Sequence, residues 1–347
     1  MSGSSLDGVD LALCMFSEED QYVIEKAGTI PLPLEITNSL SDPLAETSKS
    51  FLQLSARFSL FLAAAAKDFL KGVKQQPQLI VSHGHTVYHD PASLISCQIG
   101  NGGVIAAITG IDTLSDLRIQ DVALGGQGAP LASLVDRYLF NDYNFMLNLG
   151  GIANVSCKEG NKTFSWDVSP CNQVLNKLSG RLGLPYDPNG EHASKGKKDD
   201  KLYSSWQSIE YFTQQPPKSL DNYWVSDVFS SFIEPDMPIE NGLNTMCHFI
   251  ADQLIRDLHK YLPQGSSKMV ITGGGGHNDY LVQCIRKAAS PHKIEVVIPS
   301  KEMIDFKEAL LMAYMGHRYI QRKVNVLASA TGGDKDIIAG ALYLGNG

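Results

Sequence analysis

A glycine-bearing turn followed by a β-hairpin occurs twice in this 347-residue chain, and that recurrence restricts the fold more than any other feature. The first copy runs from Met1-Ser2-Gly3-Ser4-Ser5-Leu6-Asp7-Gly8 into a β-run over 9–16, an acidic turn over 17–20 and a returning strand over 22–26. The second runs from a β-run over 145–149 through Gly150-Gly151 into 153–156, a charged turn over 158–161 and a returning strand over 164–167. Short β-branched and aromatic runs bounded by turn residues read as hairpin strands. Their likeness reads as an internal duplication, two α/β halves that each open on a glycine turn.

Periodicity supplies the helices. Residues 51–71 carry an apolar stripe broken only by Arg57 and Lys67 and predict a long buried helix; a short strand over 79–82 then ends in His83, Gly84 and His85. In the second half, 186–201 predicts a polar loop, and 241–262 an amphipathic helix with Met246, Ile250, Leu254 and Leu258 on one face. A buried strand over 269–272 runs into four glycines, with Asn278 placed to cap the next helix, and 294–298 and 306–322 predict a further strand and helix. About 100–200 residues per domain makes the length sufficient for two. The expected division is a first domain over 1–140 to which 324–347 return, and a second over 141–323.

Composition serves to exclude. Lys and Arg total 29 against 37 Asp and Glu, a net charge of −8 with no basic stretch, which argues against nucleic acid or an anionic membrane as partner. The longest uncharged run, 91–111, contains Pro91, Gln98, Asn101 and four glycines, so it predicts a strand, a loop and a helix, not a membrane span. No basic segment followed by an apolar one opens the sequence, and Cys14, Cys97, Cys157, Cys171, Cys247 and Cys284 are scattered without a CxxC pair. Reduced, buried thiols in a cytoplasmic protein are expected.

The chemical signal lies in three turns, 1–8, 147–154 and 272–278. Glycine lets backbone N–H groups converge on an anion without a Cβ in the way, and serine hydroxyls add donors. Each turn alone reads equally as a tight turn; recurrence in two halves points to phosphate. G-x-x-x-x-G-K-[ST] and a strand-linked G-x-G-x-x-G are both absent, so P-loop and Rossmann readings drop out. An extended strand would hold His83 and His89 about 20 Å apart, so these histidines with His85 fit a polar strand end better than a metal site. Asp167, ahead of Pro170 and Asn172, reads either as a carboxylate capping the next helix or as a general base. Glu308 reads as a solvated charge, and Asp116, Arg118 and Asp121 as a local ion-paired loop.

These turns, with Ser82-His83-Gly84-His85-Thr86, Gln98-Ile99-Gly100-Asn101, Asp121-Val122-Ala123-Leu124-Gly125-Gly126-Gln127-Gly128-Ala129-Pro130, Tyr186-Asp187-Pro188-Asn189-Gly190 and Glu308-Ala309, resemble the anhydro-N-acetylmuramic acid kinase family of the actin/sugar-kinase/Hsp70 superfamily. The resemblance covers nearly the whole chain. It implies an α/β fold of duplicated ribonuclease-H-like (actin-like ATPase) domains flanking a central cleft that closes on ATP and Mg²⁺. It implies phosphate contacts from Gly3, Ser4, Ser5, Leu6, Asp7, Gly8, Val9 and Asp10 and from Gly150 and Gly151, with Asp7 holding Mg²⁺ directly or through water. Gly273, Gly274, Gly275 and Asn278 would receive the adenosine, and His85, Thr86, Arg118 and Glu308 would line the sugar. The implied activity, in recycling of cell-wall fragments, couples hydrolytic opening of a 1,6-anhydro ring to phosphorylation of O6, with Asp167 at the position of the family base. The implied partners are ATP and a small sugar, and a homodimer is common among similar proteins.

Three departures qualify this. The family's Phe-Asp-x-Gly-Pro-Gly-Asn reads Trp166-Asp167-Val168-Ser169-Pro170-Cys171-Asn172 here, which keeps the aspartate and loses both glycines; the family Gln after His-Gly is His85; and Ser-Thr-Gly-Arg-Glu is replaced within Lys218-Ser219-Leu220-Asp221-Asn222-Tyr223-Trp224. An ATP-binding member with lost or altered sugar specificity is therefore the alternative. A phosphate loop of this type is also expected to follow an anchoring strand of about 5–10 residues. Gly3 follows Met1 almost at once, so residues 9–16 are expected to expose an unpaired edge.

Overall fold

The computed structural model describes every residue except 4, 5, 7, 45, 46, 160, 161, 217, 221–223, 230, 232–235 and 347. The chain divides into two compact units, Met1–Leu139 with Phe306–Gly347, and Phe140–Asp305. The second division falls inside the helix Lys301–Ile320, at Phe306 where the backbone leaves helical φ/ψ, and not near Val324 where the return was expected. In chain order the strands are β1 (Gly8–Phe16), β2 (Tyr22–Pro31), β3 (Ile80–Val81), β4 (His85–Asp90), β5 (Ile95–Ile99), β6 (Thr113–Ser115), β7 (Phe145–Leu149), β8 (Ile152–Glu159), β9 (Lys162–Pro170), β10 (Ser267–Thr272), β11 (Ile294–Val297) and β12 (Ala341–Tyr343).

The unit Phe140–Asp305 is built on one five-stranded sheet in the order β11-β10-β7-β8-β9. The meander β7-β8-β9 is antiparallel, and β10 lies parallel to both β7 and β11. A meander whose first strand becomes central and pairs on its other edge with a parallel strand, itself parallel to a further one, is the ribonuclease-H-like arrangement that the resemblance implied. Leu147, Leu149, Val155 and Val168 are fully buried, as are Met246, Ile250, Leu254 and Leu258 of the helix Ile239–Leu258, the stripe that the heptad-like spacing predicted. Aromatic rings complete this core, with Phe212 4.8 Å from Phe249 and Trp206 5.1 Å from Phe229 between centroids. The predicted polar loop over 186–201 instead holds the short helix Glu191–Lys195, started by the Asp187 carboxylate, which accepts the backbone N–H groups of His192 and Ala193, both at 2.9 Å. Five residues are too few for apolar periodicity to register.

In the other unit, β1 and β2 form the predicted antiparallel hairpin, extended to Pro31 and irregular between Leu13 and Cys14. β4 pairs with β5, and β6 lies between β12, antiparallel, and β3, parallel. The long helix starts at Ser48, where the Thr47 side chain accepts the Ser50 N–H, and runs to Phe69. It buries Leu54, Phe58 and Leu62 in a core shared with Val9, Ile36, Ile99 and Ile105. Among the described residues no helix is long and apolar enough to cross a membrane. The six cysteines are all free, with Cys14 and Cys97 half-buried and the other four buried.

Candidate functional site

In the unit Phe140–Asp305 the two glycine segments arrive at one end of the sheet because β7 and β10 are parallel neighbours, with Thr272 opposite Asn148. Their glycines serve different ends. A Cβ on Gly273, whose φ is +81°, would lie 2.5 Å from Asn148 Oδ1, and one on Gly275 would lie 2.7 Å from Leu149 Cβ. Close approach of the loop to the end of β7 demands glycine at both. Gly274 has no neighbour nearer than 3.8 Å and Gly150 none nearer than 3.4 Å, so packing does not require glycine there. The helix Asn172–Gly180 abuts the same turn: the Asn172 and Gln173 N–H groups donate to the Gly150 and Gly151 carbonyls, both at 3.1 Å. Asn172 Nδ2 donates to Leu149 O at 3.0 Å. These N–H groups are therefore spent on fixing the turn. Asn278 caps the helix Asp279–Ala289 as expected, its side-chain oxygen taking the Leu281 N–H at 3.0 Å.

Asp167 sits in β9, paired in register with Asn154 and not at a helix start, so the capping reading gives way. Its carboxylate Oδ2 accepts the Leu220 N–H at 2.9 Å and the Ser219 hydroxyl at 3.2 Å; its backbone N–H donates to Lys218 O at 2.9 Å, and Tyr211 OH donates to its carbonyl at 2.7 Å. Half-burial pushes its pKa above the ordinary carboxylate value, opposed by the Leu220 and Ser219 donors, which favour the charged form. A carboxylate made more basic by desolvation yet kept ionised by two donors on one oxygen can take a proton through the other.

The strap that supplies those donors is itself anchored. Lys218 Nζ lies 3.0 Å from Asp257 Oδ1, with side-chain exposures of 2% and 3%, and 4.9 Å from the Tyr211 ring centroid. Burial raises the Asp257 pKa, with Lys218 pulling it back. Sequence reasoning missed this pair. Its one signal was an Asp three residues after Leu254 on an otherwise apolar stripe. The two residues replacing the family's glycines, Ser169 and Cys171, are both fully buried, Cys171 among the core side chains with its thiol pKa pushed up to about 12 by burial. Both side chains have turned inward.

In the other unit the expected site residues gather around two histidines. His83 is buried, and Arg118 Nε donates to its Nε2 at 2.8 Å; its Nδ1, which must then carry the proton, donates to Gly84 O at 3.1 Å. Burial first, then the Arg118 charge, drives the His83 pKa down to about 3, so it is a neutral acceptor that orients Arg118. Arg118 also donates to Gly128 O. Glu308 is exposed, and its charge favours the charged forms of Arg118 and the Met1 amine. His85 is buried with Nδ1 3.1 Å from Ser2 Oγ, its pKa lowered by burial, and Thr86 Oγ1 accepts from Gln98 Nε2 at 3.3 Å. His89 pairs instead with Ser96, its Nδ1 2.9 Å from the hydroxyl.

The expected ion-paired loop of Asp116, Arg118 and Asp121 is corrected, because the three do not bond to one another. Asp121, fully buried, accepts the Gly128 N–H at 2.7 Å and the Thr331 hydroxyl at 2.6 Å, and Ser115 donates to Asp116 at 3.1 Å. Of the first turn, Ser4, Ser5 and Asp7 lie outside the described residues. Gly3 and Leu6 form a bend closed by a 3.4 Å bond from Leu6 N–H to Gly3 O, with Leu6 at φ +54°. Gly8 is glycine because a Cβ would lie 2.5 Å from Thr29 Cγ2; Val9 is a core residue, and Asp10 Oδ1 accepts the Thr29 hydroxyl at 2.6 Å. Among the described residues no group of three His, Cys, Asp or Glu side chains gathers to hold a metal ion.

A family model described as anhydro-N-acetylmuramic acid kinase matches residues 1–345. The chain belongs to the anhydro-N-acetylmuramic acid kinase family. Relatives bearing that name include one from Gloeothece citriformis, 31% identical with 99% of this chain and 97% of the relative covered, and one from Bacillus cereus, 32% identical with 98% and 97% covered. Among solved structures, the activator of 2-hydroxyisocaproyl-CoA dehydratase from Clostridium difficile with bound ADPNP overlaps 88% of this chain and 91% of its own at 11% identity and a TM-score of 0.43, too loose a likeness to carry an argument. The family is one of sugar kinases, and membership makes this chain an ATP-dependent phosphotransferase.

Proposed function

We propose that the chain converts 1,6-anhydro-N-acetylmuramic acid and ATP to N-acetylmuramic acid 6-phosphate and ADP, with Asp167 as the base that activates water. The observation that carries this is the carboxylate itself: basic through burial, ionised through Leu220 and Ser219, and held on a strand. Water oxygen attacks C1 of the sugar while its proton passes to Asp167; the C1–O6 bond breaks, O6 bonds to the γ-phosphorus, and the bond from that phosphorus to the bridging oxygen breaks to release ADP. Capture of O6 by phosphorus removes the need for a strong acid at the leaving oxygen.

The remaining roles follow the same reading. The turn at Gly150 and Gly151 and the bend from Gly3 to Gly8 approach phosphates, and Gly274, the glycine with open space, approaches the adenosine. Arg118, oriented by neutral His83, and His85, Thr86 and Glu308 contact the sugar. Mg²⁺ neutralises phosphate charge in reactions of this class. Asp7, the residue of this chain that would hold it, lies outside the described residues. The alternative, a member with lost or altered sugar specificity, rests on Ser169 and Cys171, both buried, on His85 and on the replaced segment 218–224. Incubation with ATP, Mg²⁺ and a panel of anhydro-sugars tests the reading: ADP and a 6-phosphosugar form from the muramic compound. ADP release only with another panel member would sink it.

A further inference from the structure

Residues 121–130 carried part of the family resemblance, yet the proposed chemistry gives this segment no role, although it is as glycine-rich as the candidate phosphate turns. Packing supplies another reason for the glycines. A Cβ on Gly126 would lie 2.2 Å from Asp121 Oδ2, and one on Gly128, whose φ is +65°, would lie 2.9 Å from Val122 Cγ2. From a distant part of the chain, Gly333 comes as close: its Cβ would lie 2.9 Å from Asp121 Oδ1. The loop wraps a side chain of its own, the fully buried Asp121.

Two hydrogen bonds stitch the segment of Gly333 to the loop: Gln127 N–H donates to Thr331 O at 2.8 Å, and Asp334 N–H donates to Leu124 O at 3.0 Å. Thr331, buried at the end of the helix Ala328–Thr331, gives its hydroxyl to Asp121 Oδ1 at 2.6 Å, while Oδ2 takes the Gly128 N–H at 2.7 Å. Both donors are neutral groups. An apolar side chain would fill the same space without the cost of taking a carboxyl group out of water, so the packing of the loop does not account for an aspartate here. What Asp121 fixes is Gly128, and Gly128 in turn fixes Arg118, whose Nη1 donates to the Gly128 carbonyl and whose Nε donates to His83 Nε2 at 2.8 Å. These two acceptors come from different segments, one just after β3 and one in the loop, so the guanidinium plane is set only when both are in place. They take two of its five N–H groups and leave three for a ligand.

We propose that Asp121 is a positioning residue for sugar binding, which rests on the reading of Arg118 as a sugar contact: held by Thr331, it sets Gly128, and through the Gly128 carbonyl it sets the plane in which Arg118 meets the sugar. The whole relay from Thr331 to His83 lies within the unit Met1–Leu139 with Phe306–Gly347. Loss of the Thr331 hydroxyl leaves Oδ1 buried without its donor, so the carboxyl group turns to find another and Oδ2 carries the Gly128 N–H with it. The glycines assigned to the adenosine lie in the other unit, so the defect falls on the sugar and spares ATP.

Asp121→Ala opens a cavity and strands two donors, so it reports on folding; the test is Thr331→Val, which keeps the shape and removes the hydroxyl, with Thr331→Ser to return it. Steady-state kinetics with 1,6-anhydro-N-acetylmuramic acid and ATP are read beside nitrogen-15 spectra of the histidine-labelled free enzyme, in which His83→Gln assigns the His83 signal. Thr331→Val is expected to raise the KM for the sugar about 3–10-fold with the KM for ATP within about twofold of the parent, and Thr331→Ser to restore it. In the same variant the His83 Nε2 resonance moves toward that of a ring nitrogen without a donor, a change read before any sugar is added. A hydroxyl that served structure alone would lower the melting temperature and leave both the His83 signal and the ratio of the two KM values unchanged, and that result overturns the proposal. Arg118→Ala separates the two readings: a raised sugar KM there with none in Thr331→Val overturns the positioning role alone, whereas an unchanged sugar KM in Arg118→Ala overturns the sugar contact and the positioning role with it.

Discussion

Replacing Lys218 with Met removes the cation beside a carboxylate that is almost out of water, since Asp257 keeps 3% of its side-chain exposure. Breaking a buried ion pair by deleting one partner costs about 3–5 kcal/mol, whereas replacing both partners with apolar residues of similar volume is often neutral or stabilising. Urea unfolding should therefore show Lys218→Met destabilised by about 3–5 kcal/mol and Lys218→Met with Asp257→Leu restored to within about 1–2 kcal/mol of the parent. The pH dependence has a definite sign. Burial already holds the Asp257 pKa above its unfolded value, and loss of Lys218 raises it further. Between the unfolded and folded values the native state then binds the extra proton, so stability is fullest at acid pH and falls as pH rises, by at most about 1.4 kcal/mol per unit. Turnover should fall with stability, because Lys218 O takes the Asp167 N–H and the next two residues hold its carboxylate. A single variant destabilised by less than about 1 kcal/mol, or a double variant no better than the single, would refute the reasoning.

Asp167→Asn keeps the shape of the side chain and removes the base, so kcat should fall about 10²–10⁴-fold with unfolding unchanged within about 1 kcal/mol; full turnover would end the assignment. Ser219→Ala deletes a donor that favours ionised Asp167, so the acid limb of the kcat/KM profile should move to higher pH while the alkaline limb stays. Gly275→Ala should cost about 1–3 kcal/mol by forcing a methyl group against Leu149, whereas Gly274→Ala should cost less than about 1 kcal/mol and raise the KM for ATP. Melting curves and ATP titrations on the two alanine variants separate packing from binding.

Local physics made much of this molecule legible in its sequence. Strand runs, the capping Asn278, the apolar stripe from Met246 to Leu258 and the paired glycine turns are set by neighbours a few residues apart, so their periods and punctuation are visible in one dimension. The same holds for the glycine segments as candidates for phosphate, though only packing separated Gly273 and Gly275, pressed against β7, from the open Gly274. The helix Glu191–Lys195 was too short to leave a period, and Phe306, where the second division falls, carries no Gly or Pro to mark it.

What the sequence by itself determined was the longer strands and helices, the duplication and the family. Tertiary structure decided which groups touch. Asp167 gained its donors from residues 52 and 53 positions away, Lys218 found Asp257 39 positions on, and His83 met Arg118 across 35. Burial and charge pairing depend on distances in space, and those distances are set only once the sheets have closed around their cores.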